Sequence, residues 1–124
     1  MRVFKIKWFN QWAIKAGITD DSLRQALSEI ETGLIDANLG GNVYKQHVRF
    51  QGWGKRSSAR ILIVLKAGDK VFFVYGFAKN QQDNISDREL KALKRLAKEL
   101  LQYTDSQLRN ALIAGELIEV LSYE

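Results

Sequence analysis

The sequence predicts an α+β domain, a small and mainly antiparallel sheet with helices on one face. Two stretches alternate apolar and polar residues with a period of two, and two further runs are apolar on both strand faces. Two Ser/Thr-x-x-Glu/Gln boxes each open a stretch of helical spacing. With 124 residues, 46% hydrophobic and 27% charged, the chain is sized and composed for one globular domain spanning residues 1–124.

Taken in order, Arg2–Trp8 sets Phe4, Ile6 and Trp8 against Val3, Lys5 and Lys7, which describes a half-buried strand. Phe9–Ala16 reads as a short helical turn closed by Gly17. Thr19 then caps a helix whose first turn carries Asp20 and Asp21, where the helix dipole favours negative charge. Leu23, Ala26, Leu27 and Ile30 form its buried stripe, and Gly33 ends it. Leu39–Asn42 reads as a Gly-Gly turn. In the strand that follows, Val43, Lys45, His47 and Arg49 share one face, and Tyr44, Gln46, Val48 and Phe50 the other.

Gln51–Ser58 reads as a glycine-containing loop. Ala59–Lys66 and Lys70–Lys79 form a hairpin of central strands, because Ile61–Leu65 and Val71–Phe77 are apolar on both faces. Ser86 with Glu89, and Thr104 with Gln107, are the two capping boxes; Leu90, Leu93, Ala97, Leu100 and Leu101 follow the first at helical spacing. Gly115 stops the second helix, and Leu117–Leu121 is a final short strand. The expected order is β–α–β–β–β–α–α–β.

Composition excludes several functions. The absence of cysteine removes disulfide scaffolds, thiolate metal sites and cysteine nucleophiles, and fits a reducing cytosol. No apolar run approaches the roughly 18 residues of a membrane span, and Met1–Asn10 lacks the apolar stretch of a signal peptide. A cytoplasmic protein without membrane contact is expected. Its net charge of +5 is localised: residues 37–68 hold Lys45, Arg49, Lys55, Arg56, Arg60 and Lys66 and no acidic residue, whereas the remainder carries 13 basic and 14 acidic side chains. A charge run is commonly just a solvated face. Here one sign is excluded from a quarter of the chain, which favours a polyanionic partner such as nucleic-acid phosphate or an acidic protein.

Within that window Lys45, His47 and Arg49 stand at i, i+2 and i+4, about 6.5–7 Å apart on one strand face, close enough to line a phosphate. Arg60 opens the next strand, where pairing brings it near the same surface, and Lys79 lies at the exit of the central strand. RNA cleavage by the neighbouring 2′-hydroxyl needs a base for that hydroxyl, an acid for the leaving 5′-oxygen, and cations for charge growing on phosphorus. His47, the single histidine, changes charge near neutral pH; Lys45, Lys79 and Tyr75 are candidates to share the proton transfers. Arg60 and Arg56 suit phosphate because they stay charged. Arg49 and Lys55 suit the RNA backbone, and Trp53 and Phe50 either stack bases or pack on the domain. No paired carboxylates or metal-ligand spacing occur in this region. Gly52 and Gly54 lack the third glycine and the helix of a dinucleotide site. No metal or cofactor is expected.

The run Tyr44-Lys45-Gln46-His47-Val48-Arg49, followed by Gly54-Lys55-Arg56-Ser57-Ser58-Ala59-Arg60-Ile61-Leu62-Ile63, resembles the RelE/ParE superfamily of bacterial type II toxins. Val74-Tyr75-Gly76-Phe77-Ala78-Lys79-Asn80 and Asp83-Asn84-Ile85-Ser86, leading into a leucine-rich helix, are similar to its HigB-like RelE branch. The resemblance covers about Leu39–Leu101. It implies a small curved sheet and a metal-independent endoribonuclease that cuts mRNA, often on the ribosome. It also implies a cognate antitoxin encoded alongside, expected to be a helix-turn-helix protein. The family's basic positions fall on Lys45, His47, Arg60 and Lys79. Its C-terminal catalytic tyrosine has no counterpart, since Asn80–Ser86 contains none, and this departure makes His47 the more attractive acid–base candidate. The alternatives are a non-catalytic module binding RNA or antitoxin, and a gyrase-poisoning ParE-like toxin.

Overall fold

The computed structural model describes residues 1–52, 55–66, 69–79 and 84–120, except the side chains of 51, 52 and 55–57. Its elements are β1 (Arg2–Ile6), α1 (Lys7–Ala16), α2 (Asp20–Glu31), β2 (Ala37–Gly40), β3 (Val43–Gly52), β4 (Lys55–Lys66), β5 (Lys70–Ala78), α3 (Asp87–Leu101), α4 (Asp105–Ile113) and β6 (Leu117–Glu119). The strands form one sheet in the order β2-β3-β4-β5-β1-β6. Only β1 and β5 run parallel; every other pairing is antiparallel. The α+β class and the mainly antiparallel sheet are as expected.

The placement of the helices is not. Alternate residues of the central strands feed two separate cores. Ile61, Ile63, Val71 and Phe73 pack under α1 and α2 with Phe9, Ala13, Leu23 and Ile30. Leu62, Val64, Phe72 and Val74 pack under α3 and α4 with Leu93, Ala97, Leu100 and Leu108. Helices therefore cover both faces, because strands apolar on both sides must be shielded on both sides.

Local signals explain the helix boundaries. Thr19 accepts a hydrogen bond from the Ser22 N–H, and both capping boxes are closed. Gly17, Gly33 and Gly115 take positive φ just beyond the helices they follow.

Three boundaries differ from the sequence expectation. Trp8 belongs to α1, not to the first strand, which ends at Ile6. Ala37–Gly40 is an added strand, paired with Val43–Lys45. Most of the expected Gln51–Ser58 loop is hairpin: Gln51 pairs with Arg56 and Gly52 with Lys55. Ladder pairing there outweighs the turn preference of the glycines and serines. The observed order thus has one more helix and one more strand than expected.

Candidate functional site

β3, β4 and β5 bring Lys45, His47, Arg49, Arg60 and Tyr75 to one face, the α3 side of the sheet. Val43 on β3 and Leu62 on β4 are covered there by the helices. α3 crosses this face between β5, where its Glu89 accepts the Tyr75 hydroxyl, and the Gly40–Gly41 turn, where Lys94 lies against both glycines. Further along the strands, away from α3, the same face presents Lys45, His47 and Arg49 on β3 and Arg60 on β4.

His47 and Arg60 are direct cross-strand partners, and Arg60 is in turn opposite Phe77 of β5. Same-face partners in an antiparallel pair stand about 4.5–5.5 Å apart at Cβ, so the imidazole and the guanidinium share one small volume. Lys79 follows β5 directly, its N–H donating to the Ser58 carbonyl at 3.5 Å.

The electrostatics of the cluster are set by Arg60. Its Nε lies 3.8 Å from Oδ2 of Asp36, a long and partly exposed contact. Its Nη1 is buried and has no hydrogen-bond partner among the described residues. The guanidinium as a whole keeps its charge at neutral pH and suits oxyanions by its planar fork of donors. Burial and then the Arg60 charge push the His47 pKa below its ordinary value of 6.5; Asp36 opposes this, while Arg49 and Lys79 reinforce it. The lowered pKa favours the neutral imidazole, the form that can accept a proton.

Because His47 is the sole histidine, its imidazole titration can be read without ambiguity by NMR. Its midpoint is expected below 6.5, rising in Arg60→Ala and falling further in Asp36→Asn. A midpoint that ignores both substitutions would refute this account of the cluster.

Tyr75 is engaged elsewhere. Its hydroxyl donates to Glu89 Oε2 at 2.6 Å, and Glu89 Oε1 closes the α3 capping box with Ser86. The Tyr75 hydroxyl, followed by Ser86, holds the Glu89 carboxyl below its usual range. Trp8 of α1 stacks on the Tyr75 ring at 4.9 Å and 9°. Lys55 and Arg56 lie on the β4 backbone with their side chains outside the description, and Trp53 lies outside the described residues.

Sequence reasoning missed Asp36, which marked only the edge of the acid-free window and precedes an unexpected strand. It saw Glu89 as a capping residue and not as the partner of Tyr75. Among the described residues no cluster of three His, Asp or Glu side chains is arranged to hold a metal. No described helix is long and apolar enough to cross a membrane.

A mixed sheet between two helical layers carries Lys45, His47, Arg49 and Arg60 on one face, the cationic patch of a small basic domain. Residues 1–120 match the family model of the RelE toxin of the RelE/RelB toxin–antitoxin system, and the chain belongs to that family. It is thus a toxin of a toxin–antitoxin system, and membership implies an antitoxin partner. No curated protein and no solved structure matches it.

Proposed function

We propose that this toxin is a metal-independent endoribonuclease that cleaves mRNA on the ribosome. The observation that carries the reading is the His47–Arg60 pair: an imidazole whose pKa is held below its ordinary value, directly across the ladder from a permanently charged guanidinium. In the proposed reaction neutral His47 takes the proton of the 2′-hydroxyl, whose oxygen attacks the adjacent phosphorus. Arg60, with Arg56 and Lys79, stabilises the added negative charge on the phosphoryl oxygens. The bond to the 5′-oxygen breaks, and a protonated lysine, Lys45 or Lys79, supplies that oxygen with its proton. The products are a 2′,3′-cyclic phosphate and a 5′-hydroxyl end. Arg49 and Lys55 hold the RNA backbone, and Trp53 stacks on a base. Tyr75, committed to Glu89, positions the α3 N-terminus in this scheme rather than moving a proton.

The motif runs from Val74 to Asn80 and from Asp83 to Ser86 support the HigB-like branch. The same reading makes the protein cytoplasmic, one domain, and neutralised by a helix-turn-helix antitoxin encoded beside it. Induced expression in a sensitive host, with primer-extension mapping of transcripts, tests the proposal. New 5′ ends within translated messages are expected. Growth arrest with intact mRNA and double-strand DNA breaks would replace the ribonuclease reading with gyrase poisoning.

A further inference from the structure

A cleft between α3 and the β2–β3 turn gathers three lysines from two elements. It encloses about 500 Å³, with Gly41, Asn42, Lys66, Lys94, Lys98 and Gln102 in its walls. Lys66 ends β4, and Lys94 and Lys98 stand one turn apart on α3. No carboxylate lines the cleft, and among the described residues none of the three lysines has an ion pair. The cleft lies apart from the His47–Arg60 site, since Asn42 precedes His47 by five residues, about 16 Å along β3.

Helix stability accounts for only one of these cations. Lys98 stands in the last turn of α3, where the dipole favours positive charge. Lys66 belongs to a strand and Lys94 to the middle of the helix, so neither answers to that terminus. Lys94 is held at the cleft by the turn: its side chain lies against Gly40 and Gly41, with Nζ 3.4 Å from where a Cβ at Gly40 would stand. Gly40, Gly41 and Asn42 all take positive φ, a conformation that the two glycines adopt without strain. Ammonium groups gathered in one cleft repel one another, and an anion among them removes that cost.

We propose that this cleft binds a free oligophosphate, inorganic or carried by a nucleoside, at a site separate from the proposed cleavage centre. The three cations converge on one volume, which matches linked phosphates that concentrate several charges within a few bonds. A nucleic-acid backbone carries one charge per nucleotide and is met by cations strung along a groove. Asn42 and Gln102 bring side-chain amides that can donate to phosphate oxygens beside the ammonium groups. A bound oligophosphate would join α3 to the start of β3 and the end of β4. It would thereby steady this helix against the hairpin that carries His47 and Arg60. The inference is independent of the ribonuclease reading.

The probe is inorganic triphosphate, added to the full chain while backbone amides are followed by NMR and the melting temperature by calorimetry. Saturable shifts are expected at Gly41, Asn42 and Gln102, with a rise in melting temperature, because a ligand of the folded state stabilises it. Lys94→Ala with Lys98→Ala is expected to weaken binding at those amides about tenfold or more, the usual loss when hydrogen bonds to charged groups are removed. Lys15→Ala, on an exposed α1 lysine outside the cleft, should change it by less than about twofold. Adenosine triphosphate is the second arm. Tighter binding than inorganic triphosphate would assign the site to a nucleotide, and equal binding to the phosphates alone; either outcome supports the oligophosphate.

Absence of saturable shifts at these amides at millimolar triphosphate would overturn the proposal, as would shifts that survive Lys94→Ala with Lys98→Ala. An equal loss in Lys15→Ala would reduce the effect to general attraction by net charge and overturn it too. A short RNA duplex that binds these residues as tightly, at equal phosphate concentration, would assign the cleft to RNA backbone instead. None of these readouts uses mRNA cleavage, so loss of the ribonuclease reading and loss of this site are separately visible.

Discussion

Replacing His47 and Arg60 together by alanine is expected to abolish transcript cutting and to restore growth of an expressing host. Arg60→Ala alone should lower the cleavage rate by about 10²–10³, the usual loss when one preorganised donor to a developing oxyanion is removed. Arg60→Lys should recover only part of that loss, because a lysine retains the charge but not the planar fork of donors. His47→Ala removes the proposed base and should leave RNA binding nearly intact. The double variant should fold, since both side chains lie on the incompletely covered part of the sheet face and belong to neither hydrophobic core. Undiminished cleavage by the double variant would remove both residues from the proposed chemistry.

The second large effect concerns stability. Gly76 lies in β5 under the indole of Trp12, and a Cβ there would meet Trp12 Cζ3 at 2.2 Å and Cη2 at 2.5 Å. The ring has little freedom to yield. It packs against Phe9 at 5.6 Å and lies parallel to Trp8 at 6.5 Å, and Trp8 itself stacks on Tyr75. Gly76→Ala is expected to cost about 1–3 kcal/mol, the range for forcing an extra methyl into a packed site. In a Trp12→Ala background the clash is absent. There the same change should be neutral or slightly stabilising, because alanine narrows the unfolded ensemble and Gly76 has no positive φ to forbid it. Urea denaturation of the four proteins measures the coupling. Simple additivity would show that the Trp12 contact is not what requires a glycine there.

The helices were legible wherever a cap announced them: Thr19, Ser86 and Thr104 each bond the N–H three residues on. Elements fixed by tertiary contact were not. Ala-Asn-Leu-Gly has no strand character of its own and becomes β2 only because Val43–Lys45 offers it a ladder. Trp8 satisfied two patterns at once, continuing the alternation of Phe4 and Ile6 while standing four residues before Trp12; helix α1 takes it.

The two-layer cover was implicit in Ile61–Leu65 and Val71–Phe77, whose double-sided apolarity requires shielding on each side. The closeness of His47 to Arg60 was legible because a strand face and a hairpin register bring such residues together. Asp36 was not, since its contact with Arg60 spans 24 residues of sequence and depends on where β2 begins.

The position of β1 carries a consequence for synthesis. It is inserted between β5 and β6, and the Arg2–Glu119 ion pair joins residues 117 positions apart. A chain growing on a ribosome can close the local β3–β4–β5 meander early, yet β1 must wait for β5, and its other edge must wait for β6. Such distant pairings raise the contact order and defer completion of the sheet until nearly all of this stretch has emerged. The cationic hairpin can therefore take shape first, with the layer that steadies it arriving last. A protein proposed to attack translating ribosomes thus completes its sheet only once its own β6 has left the ribosome.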